Sequence, residues 1–309
     1  MILLDWLAKI NWGHYLMKIL LKSKLSERGN AIIAMVACAI LWSLSGLMIK
    51  LVDLNPVAIA GIRSLFAALL MYILCKRPKF DFSPMQIGAA LMYTGTVLLF
   101  VIANKMTTSA NAILLQYTAP IYAAILGFLF LREKVNIRDV VAIIVILGGM
   151  CLFFVDDLNS GGLLGNIFAI LSGICFAAQA IFMKLQKTSS PAASIILGNI
   201  ITFAVSIPFL FAKVPSPKDI SILAIMGIFQ LGLAYVLYSY AVTKLSALDM
   251  VLIPIIEPIL NPIWVVIFTG EVPGTMAIIG GVIVIGAVVA KSLTGDKKQL
   301  ETELNKGKS

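Results

Sequence analysis

The chain has 309 residues, 60% of them hydrophobic and only 13% charged, with a mean hydropathy of +1.00. An average soluble domain carries about 25% charged residues, so the composition excludes a water-solvated globule and points to the bilayer as the main solvent. A net charge of +9 would suggest nucleic acid in a soluble protein. In a membrane chain the placement of Lys and Arg along the sequence matters more than their sum, and no nucleic-acid partner is expected.

The first 28 residues set Asp5, Lys9, Lys18 and Lys22 on one helical stripe, with Leu3, Trp6, Leu7, Ile10, Leu20 and Leu21 mostly on the other. That is the pattern of an interfacial helix. Interspersed charges and the lack of a small-residue cleavage site fit a signal peptide poorly. Met17 is an alternative start, since MKILLKSKLSERG is an ordinary basic lead-in.

From there a bilayer core of roughly 30 Å, needing about 20 apolar residues per helical crossing, is matched repeatedly. Ten runs qualify, at about 30 to 49, 56 to 75, 84 to 103, 109 to 131, 139 to 155, 163 to 183, 191 to 212, 220 to 242, 246 to 269 and 274 to 292. They are long and apolar all round, unlike the short alternating strands of a membrane barrel. The expected class is an all-α integral membrane protein with ten transmembrane helices. Sorting the connecting segments alternately puts nineteen of the 24 Lys and Arg on the side of the N-terminus, four on the other side, and Arg63 within a span. The positive-inside rule then places both termini in the cytoplasm, for a multi-pass protein of the plasma (inner) membrane. Residues 294–309 form a charged tail on the same side.

The second half repeats the first. At an offset of 138 residues Pro120 aligns with Pro258, Glu133 with Glu271 and Gly148 with Gly286, together with Leu99/Leu237, Ala103/Ala241, Ile121/Ile259 and Phe130/Phe268. With small gaps, Gly29-Asn30 matches Gly165-Asn166, Lys50 matches Lys184 and Pro56 matches Pro191. The units read as 29–157 and 158–293, five spans each. An odd number of crossings makes the copies opposite in orientation, the inverted repeat that suits alternating access around a midplane site.

Charged and polar side chains inside the spans are the candidates for that site. Arg63, mid-way along the second span, needs a partner or water, because an unpaired charge there is costly. It is read either as an anchor for a substrate carboxylate or as a structural and gating arginine. Glu257, centred in the ninth span, sits among Pro254, Pro258 and Pro262, whose missing N–H groups free carbonyls and favour kinks. It is read as a proton carrier or a binder of a substrate ammonium, with an ion pair to Arg63 as the competing reading; its repeat mate is Ala119. Trp42, Tyr93, Gln116, Tyr117, Gln179, Gln230, Tyr235 and Tyr238 are candidate cavity lining, with Ser43, Ser45, Thr94 and Asn261 at similar depth. Pro120 is a further kink or gate.

Other features receive structural readings. Glu133 and Glu271 are expected to cap the fifth and tenth helices. Gly148, Gly149, Gly280, Gly281 and Gly286 are expected to allow close packing of those helices, or to form a homodimer face. Cys38, Cys75, Cys151 and Cys175 lack CxxC spacing and read as small core residues.

The ten spans in two halves, the arginine in GIRSLFAALL, and the proline spans QYTAPIYAAILGFLFLREKV and IPIIEPILNPIWVVIFTGEV, each closed by a glutamate, resemble the EamA-type exporters of the drug/metabolite transporter superfamily. The resemblance covers residues 29 to about 293. It implies a secondary active transporter driven by protons or by a counter-substrate, often an exporter of amino acids or related small metabolites, with the first, third and fourth spans around the cavity. No catalytic residue, metal or cofactor is expected. The single histidine, His14, lies outside the spans, and neither a metal motif nor a phosphate loop is present. A channel-like permease is the alternative, and a membrane-embedded enzyme a weaker one.

Overall fold

Helix starts are written plainly into the sequence. Asn55, Ser83, Ser190 and Ser216 each precede a proline and accept a backbone N–H of the following turn, and Ser216 forms a capping box with Asp219. A side-chain cap followed by proline satisfies one orphan donor and removes another. Ser26 caps the first helix through the Gly29 N–H, at 3.1 Å.

The computed structural model describes residues 26–75, 78–107, 109–153, 162–260 and 275–306. In chain order these form α1 (Glu27–Trp42), α2 (Ser45–Leu51), α3 (Pro56–Leu74), α4 (Pro84–Met106), α5 (Ser109–Gln116), α6 (Ala119–Leu131), α7 (Ile137–Phe153), α8 (Leu163–Leu185) and α9 (Pro191–Leu210). Then come α10 (Pro217–Ile225), a π-helical segment (Met226–Leu233), α11 (Ala234–Ala241), α12 (Asp249–Leu252), a 3-10 turn (Ile253–Ile255) leading into helix over 256–260, and α13 (Thr275–Lys306). No strand occurs among the described residues. Within them, 7 helical stretches are long and apolar enough to cross a membrane, from Glu27–Leu51 to Pro217–Ala241. The 17-residue α7 and the stretch Ile278–Lys291 are apolar but shorter. Outward faces carry bare apolar side chains such as Leu47, Leu69, Tyr72, Phe128, Leu129 and Ile144. So large an apolar surface is suited to lipid.

Contacts between helix ends sort into two faces. On one, Arg28 at the start of α1 pairs with Asp249 at the start of α12 at 3.2 Å, and Lys291 of α13 reaches Asp139 at 2.6 Å and Asp249 at 3.9 Å. Lys184 at the end of α8 lies 3.8 Å from Glu133, and Lys244 pairs with Glu27 at 2.7 Å. On the other face, Lys105 donates to the Val52 carbonyl, Thr107 to Asn166, and Lys213 pairs with Asp53.

The packing pairs survive exchange of the two sequence halves. α4 lies on α8 as α1 lies on α11; α4 lies on α9 as α3 lies on the π segment; α8 lies on α5 and α6 as α1 lies on the 3-10 turn; α3 with α9, and α7 with α13, map onto themselves. One hydrogen bond recurs in both halves. Lys50 Nζ donates to the Thr107 carbonyl at 3.3 Å, and Lys184 Nζ to the Leu245 carbonyl at 2.7 Å.

Helical continuity is less symmetric. The first span is interrupted at Ser43-Leu44 and the α10–α11 stretch by its π turns, whereas α4 and α8 run unbroken. The fourth run breaks at Tyr117-Thr118, because Pro120 has no N–H for the Gln116 carbonyl.

Three expectations are corrected. Glu133 does not cap the following helix: after Arg132, which takes the left-handed conformation (φ 55°), its carboxylate turns back to accept the Ala247 N–H at 3.2 Å. Asp139 takes the capping role instead, accepting the Asn136 N–H at 2.8 Å. Gly148 and Gly286 do not mediate close packing, since a Cβ at either would meet nothing within 4 Å. Cys151 is exposed and not a core residue. The N-terminal segment up to residue 25, Asn261, Pro262 and Glu271 lie outside the described residues.

Candidate functional site

The broken helices meet at one place. A cavity of about 50 Å³ is walled by Trp42 and Ser45, which flank the break in the first span, and by Gln116 and Tyr117 at the break before α6. Gln230 and Leu231 come from the π segment, Tyr235 from α11, and Glu257 from the helix after the 3-10 turn. Arg63 of α3, Thr96, Val97 and Phe100 of α4, and Phe176 of α8 complete the wall. A water needs about 10–15 Å³ measured this way, so the cavity has room for a few waters and must widen for anything larger. Of the larger hollows, one of about 410 Å³ against α6 and α7 is lined by apolar side chains alone, and one of about 340 Å³ at the helix ends is lined by Arg28, Asp139, Asp249 and Lys291, charges already joined to one another in ion pairs.

Two charged groups hold opposite partners within this wall. Arg63, 2% exposed, donates from Nη1 to Gln230 Oε1 at 3.1 Å. The π segment brings Gln230 that close because Gly227 lets it lie against the α3 backbone, where a Cβ would sit 2.4 Å from the Arg63 carbonyl oxygen. Glu257, 7% exposed, accepts the Tyr117 hydroxyl on Oε2 at 2.7 Å. The ion pair between Arg63 and Glu257 expected as one reading is not formed; each charge takes a neutral partner from the opposite half of the chain. Proximity along the membrane normal did not imply contact, since the π turns put an amide in front of the guanidinium.

The remaining candidates fall around this core. Gln116 donates to Ser172 Oγ at 2.8 Å, and that hydroxyl donates on to the Thr96 carbonyl at 2.9 Å, which ties α5, α8 and α4 together. Trp42 and Tyr235 pack at 5.1 Å between ring centroids, and Trp42 meets Phe176 edge-on at 5.8 Å. Tyr93 stands behind Tyr235, not on the cavity, and donates to Asn199 Oδ1 at 2.9 Å. Tyr238 is buried against Trp42 and Phe176, and Gln179 is buried too; neither lines the cavity. Pro254 and Pro258 bracket Glu257, and Pro120 follows Tyr117. Sequence reasoning missed Thr96, Val97, Phe100, Phe176 and Leu231, whose residue types are ordinary for a span and carry no signal of their own. Among the described residues no group of three or more His, Cys, Asp or Glu is placed to hold a metal ion.

Apolar outward faces around a polar, charge-bearing cavity define a multi-pass membrane protein built to handle a solute within the bilayer. The chain belongs to the EamA-like transporter family, whose model matches residues 29–155 and 163–292. It is similar to an uncharacterized transporter of Archaeoglobus fulgidus, 25% identical over 269 residues that span 81% of this chain and 92% of the relative. A second from that organism is 25% identical over 260 residues, covering 83% and 94%. The uncharacterized transporter YdfC of Bacillus subtilis is 28% identical over 60% of this chain and 63% of its own. A crystal structure of a protein only 14% identical shares the fold, with a TM-score of 0.71 over 86% of this chain and 98% of that one. The protein is therefore a membrane transporter of this family.

Proposed function

We propose that the protein is a secondary active transporter of small metabolites, with amino acids or related solutes as the substrate class, working by alternating access between two inverted five-helix repeats. On this reading ten spans cross the plasma membrane, both termini are cytoplasmic, and transport is exporting, coupled to protons or to a counter-substrate. The exchange-symmetric packing and the twin lysine-to-carbonyl bonds support the repeat. The observation that carries the reading is the cavity, where Arg63 and Glu257 are each held across the seam by a neutral side chain of the other half. A solute carboxylate displaces Gln230 from Arg63, and a solute ammonium or a proton occupies Glu257. Each exchange trades a bond between the halves for a bond to solute, so occupancy changes how tightly the halves are held.

The test is a metabolite panel in proteoliposomes, with and without an imposed proton gradient, followed by counterflow of the labelled hit. Trans-stimulation or gradient-driven accumulation, lost in Glu257→Gln protein that still folds, is expected. Flux indifferent to gradient and to trans solute would make the protein a channel-like permease and overturn the proposal.

A further inference from the structure

The Tyr117 hydroxyl has two acceptors and one proton. Its oxygen lies 2.7 Å from Glu257 Oε2 and 2.8 Å from the Pro254 carbonyl oxygen. That carbonyl has lost its helical donor, because the residue four further on is Pro258, which has no N–H. The Ile256 N–H reaches it only as a donor shared with the Ile253 carbonyl. A phenol can donate once and accept, so the three groups are all satisfied in one arrangement only: Glu257 protonated and donating to the Tyr117 oxygen, with the Tyr117 O–H donating to the Pro254 carbonyl.

We propose that Tyr117 is a positioning residue that reads the protonation of Glu257 and passes it to the backbone of the proline-broken span. When Glu257 gives its proton to water in the cavity, the carboxylate becomes the stronger acceptor, and the single Tyr117 proton turns from Pro254 to Glu257. The buried Pro254 carbonyl is then short of a donor, a condition that favours rearrangement of the kink. No bond other than hydrogen bonds is made or broken, and the proton released from Glu257 is the only one to leave. The device rests on the reading of Glu257 as the coupling carboxylate. It joins the fourth run, in the first half, to the ninth, in the second, at the bends made by Pro120 and Pro258.

Other titratable groups near Glu257 are Cys38 on α1, Tyr235 on α11 and Arg63 across the cavity. Asp249, eight residues earlier in the same span and so about two helical turns away, is committed to Arg28 and Lys291. None of these bridges the carboxylate to the backbone as Tyr117 does.

The test needs no substrate. Protein with its proline carbonyls labelled with carbon-13 is reconstituted in liposomes, and infrared difference spectra are recorded on stepping the pH. Wild type is expected to show a carboxyl band, absent from Glu257→Gln, together with a shift in the labelled-proline amide band. Tyr117→Phe is expected to keep the carboxyl band, moved by loss of one hydrogen bond, and to lose the proline shift. Pro258→Ala, which restores a backbone donor to Pro254, is expected to lose the proline shift with Tyr117 in place, and so provides the same answer if Tyr117→Phe does not fold. A proline shift that persists unchanged in Tyr117→Phe overturns the inference, as does wild-type carboxyl titration without any proline shift. Gradient-indifferent transport would instead remove the functional proposal and leave these spectra standing.

Discussion

Replacing Gly227 by alanine tests the seam between α3 and the π segment. The new Cβ would lie 2.4 Å from the Arg63 carbonyl oxygen and 2.5 Å from Phe66 Cβ. Carbon and oxygen ordinarily come no closer than about 3.3 Å, so the two backbones must separate by about 1 Å. Overpacking of this kind costs about 1–3 kcal/mol, and the obstacle is a carbonyl held in a helix, not the end of a flexible side chain. Gln230 rides on the same segment three residues on, so its 3.1 Å bond from Arg63 would stretch beyond hydrogen-bonding range. The partner experiment is Gly148→Ala. There a Cβ meets nothing within 4 Å, and removing a helical glycine gains about 0.5–1 kcal/mol. Denaturant unfolding of both variants, followed by tryptophan fluorescence, should give changes of opposite sign, with transport falling only in Gly227→Ala. Equal stability of the two variants would refute the geometry assigned to this seam.

Asp249→Asn should destabilise the protein by about 3–5 kcal/mol, the usual cost of removing one partner from a buried ion pair, because Arg28 and Lys291 both converge on that carboxylate; the same unfolding assay reads it, with exposed Lys213→Ala as a control that should not shift. In the connections outside the spans, Asp81 accepts hydrogen bonds from the Thr188 hydroxyl and the Ser83 N–H, which bring its carboxyl down from 3.8 to about 2. A lowered carboxyl stabilises the fold above its unfolded titration and loses that contribution as pH falls towards 2. Thr188→Val should move the titration back up, as followed by NMR of labelled aspartate, and an unmoved titration would remove the Thr188 contact from the account.

Much of the fold was legible because its signals are local. Cap-plus-proline starts at Asn55, Ser83, Ser190 and Ser216, and the missing N–H of Pro120, act within one turn of the residue that carries them. Arg63 and Glu257 stood out because a charge in an apolar run is costly wherever it points. Their partners were not legible. Depth along a span can be counted from its ends, but the direction a side chain faces depends on helical phase, and two irregularities shift that phase here. The π segment lies in MGIFQLGL and the Ser43-Leu44 break beside Ser45-Gly46, both without proline; glycine and serine also serve simply to pack membrane helices, so neither irregularity is singled out by its composition.

Those irregularities matter because the frame they disturb is otherwise symmetric. At the offset of 138 that aligns Pro120 with Pro258, Tyr117 faces Ile255, Glu257 faces Ala119 and Gln230 faces Met92, while Arg63 falls against Gly198 or Asn199. Every group that holds a hydrogen bond across the cavity is therefore supplied by one half alone, on helices whose packing pairs are shared by both. Packing symmetry gives the two halves a matching fit, and chemical asymmetry gives each half one charge and one neutral partner. A change at either charged group thus alters a bond between the halves without first disturbing the contacts inside them.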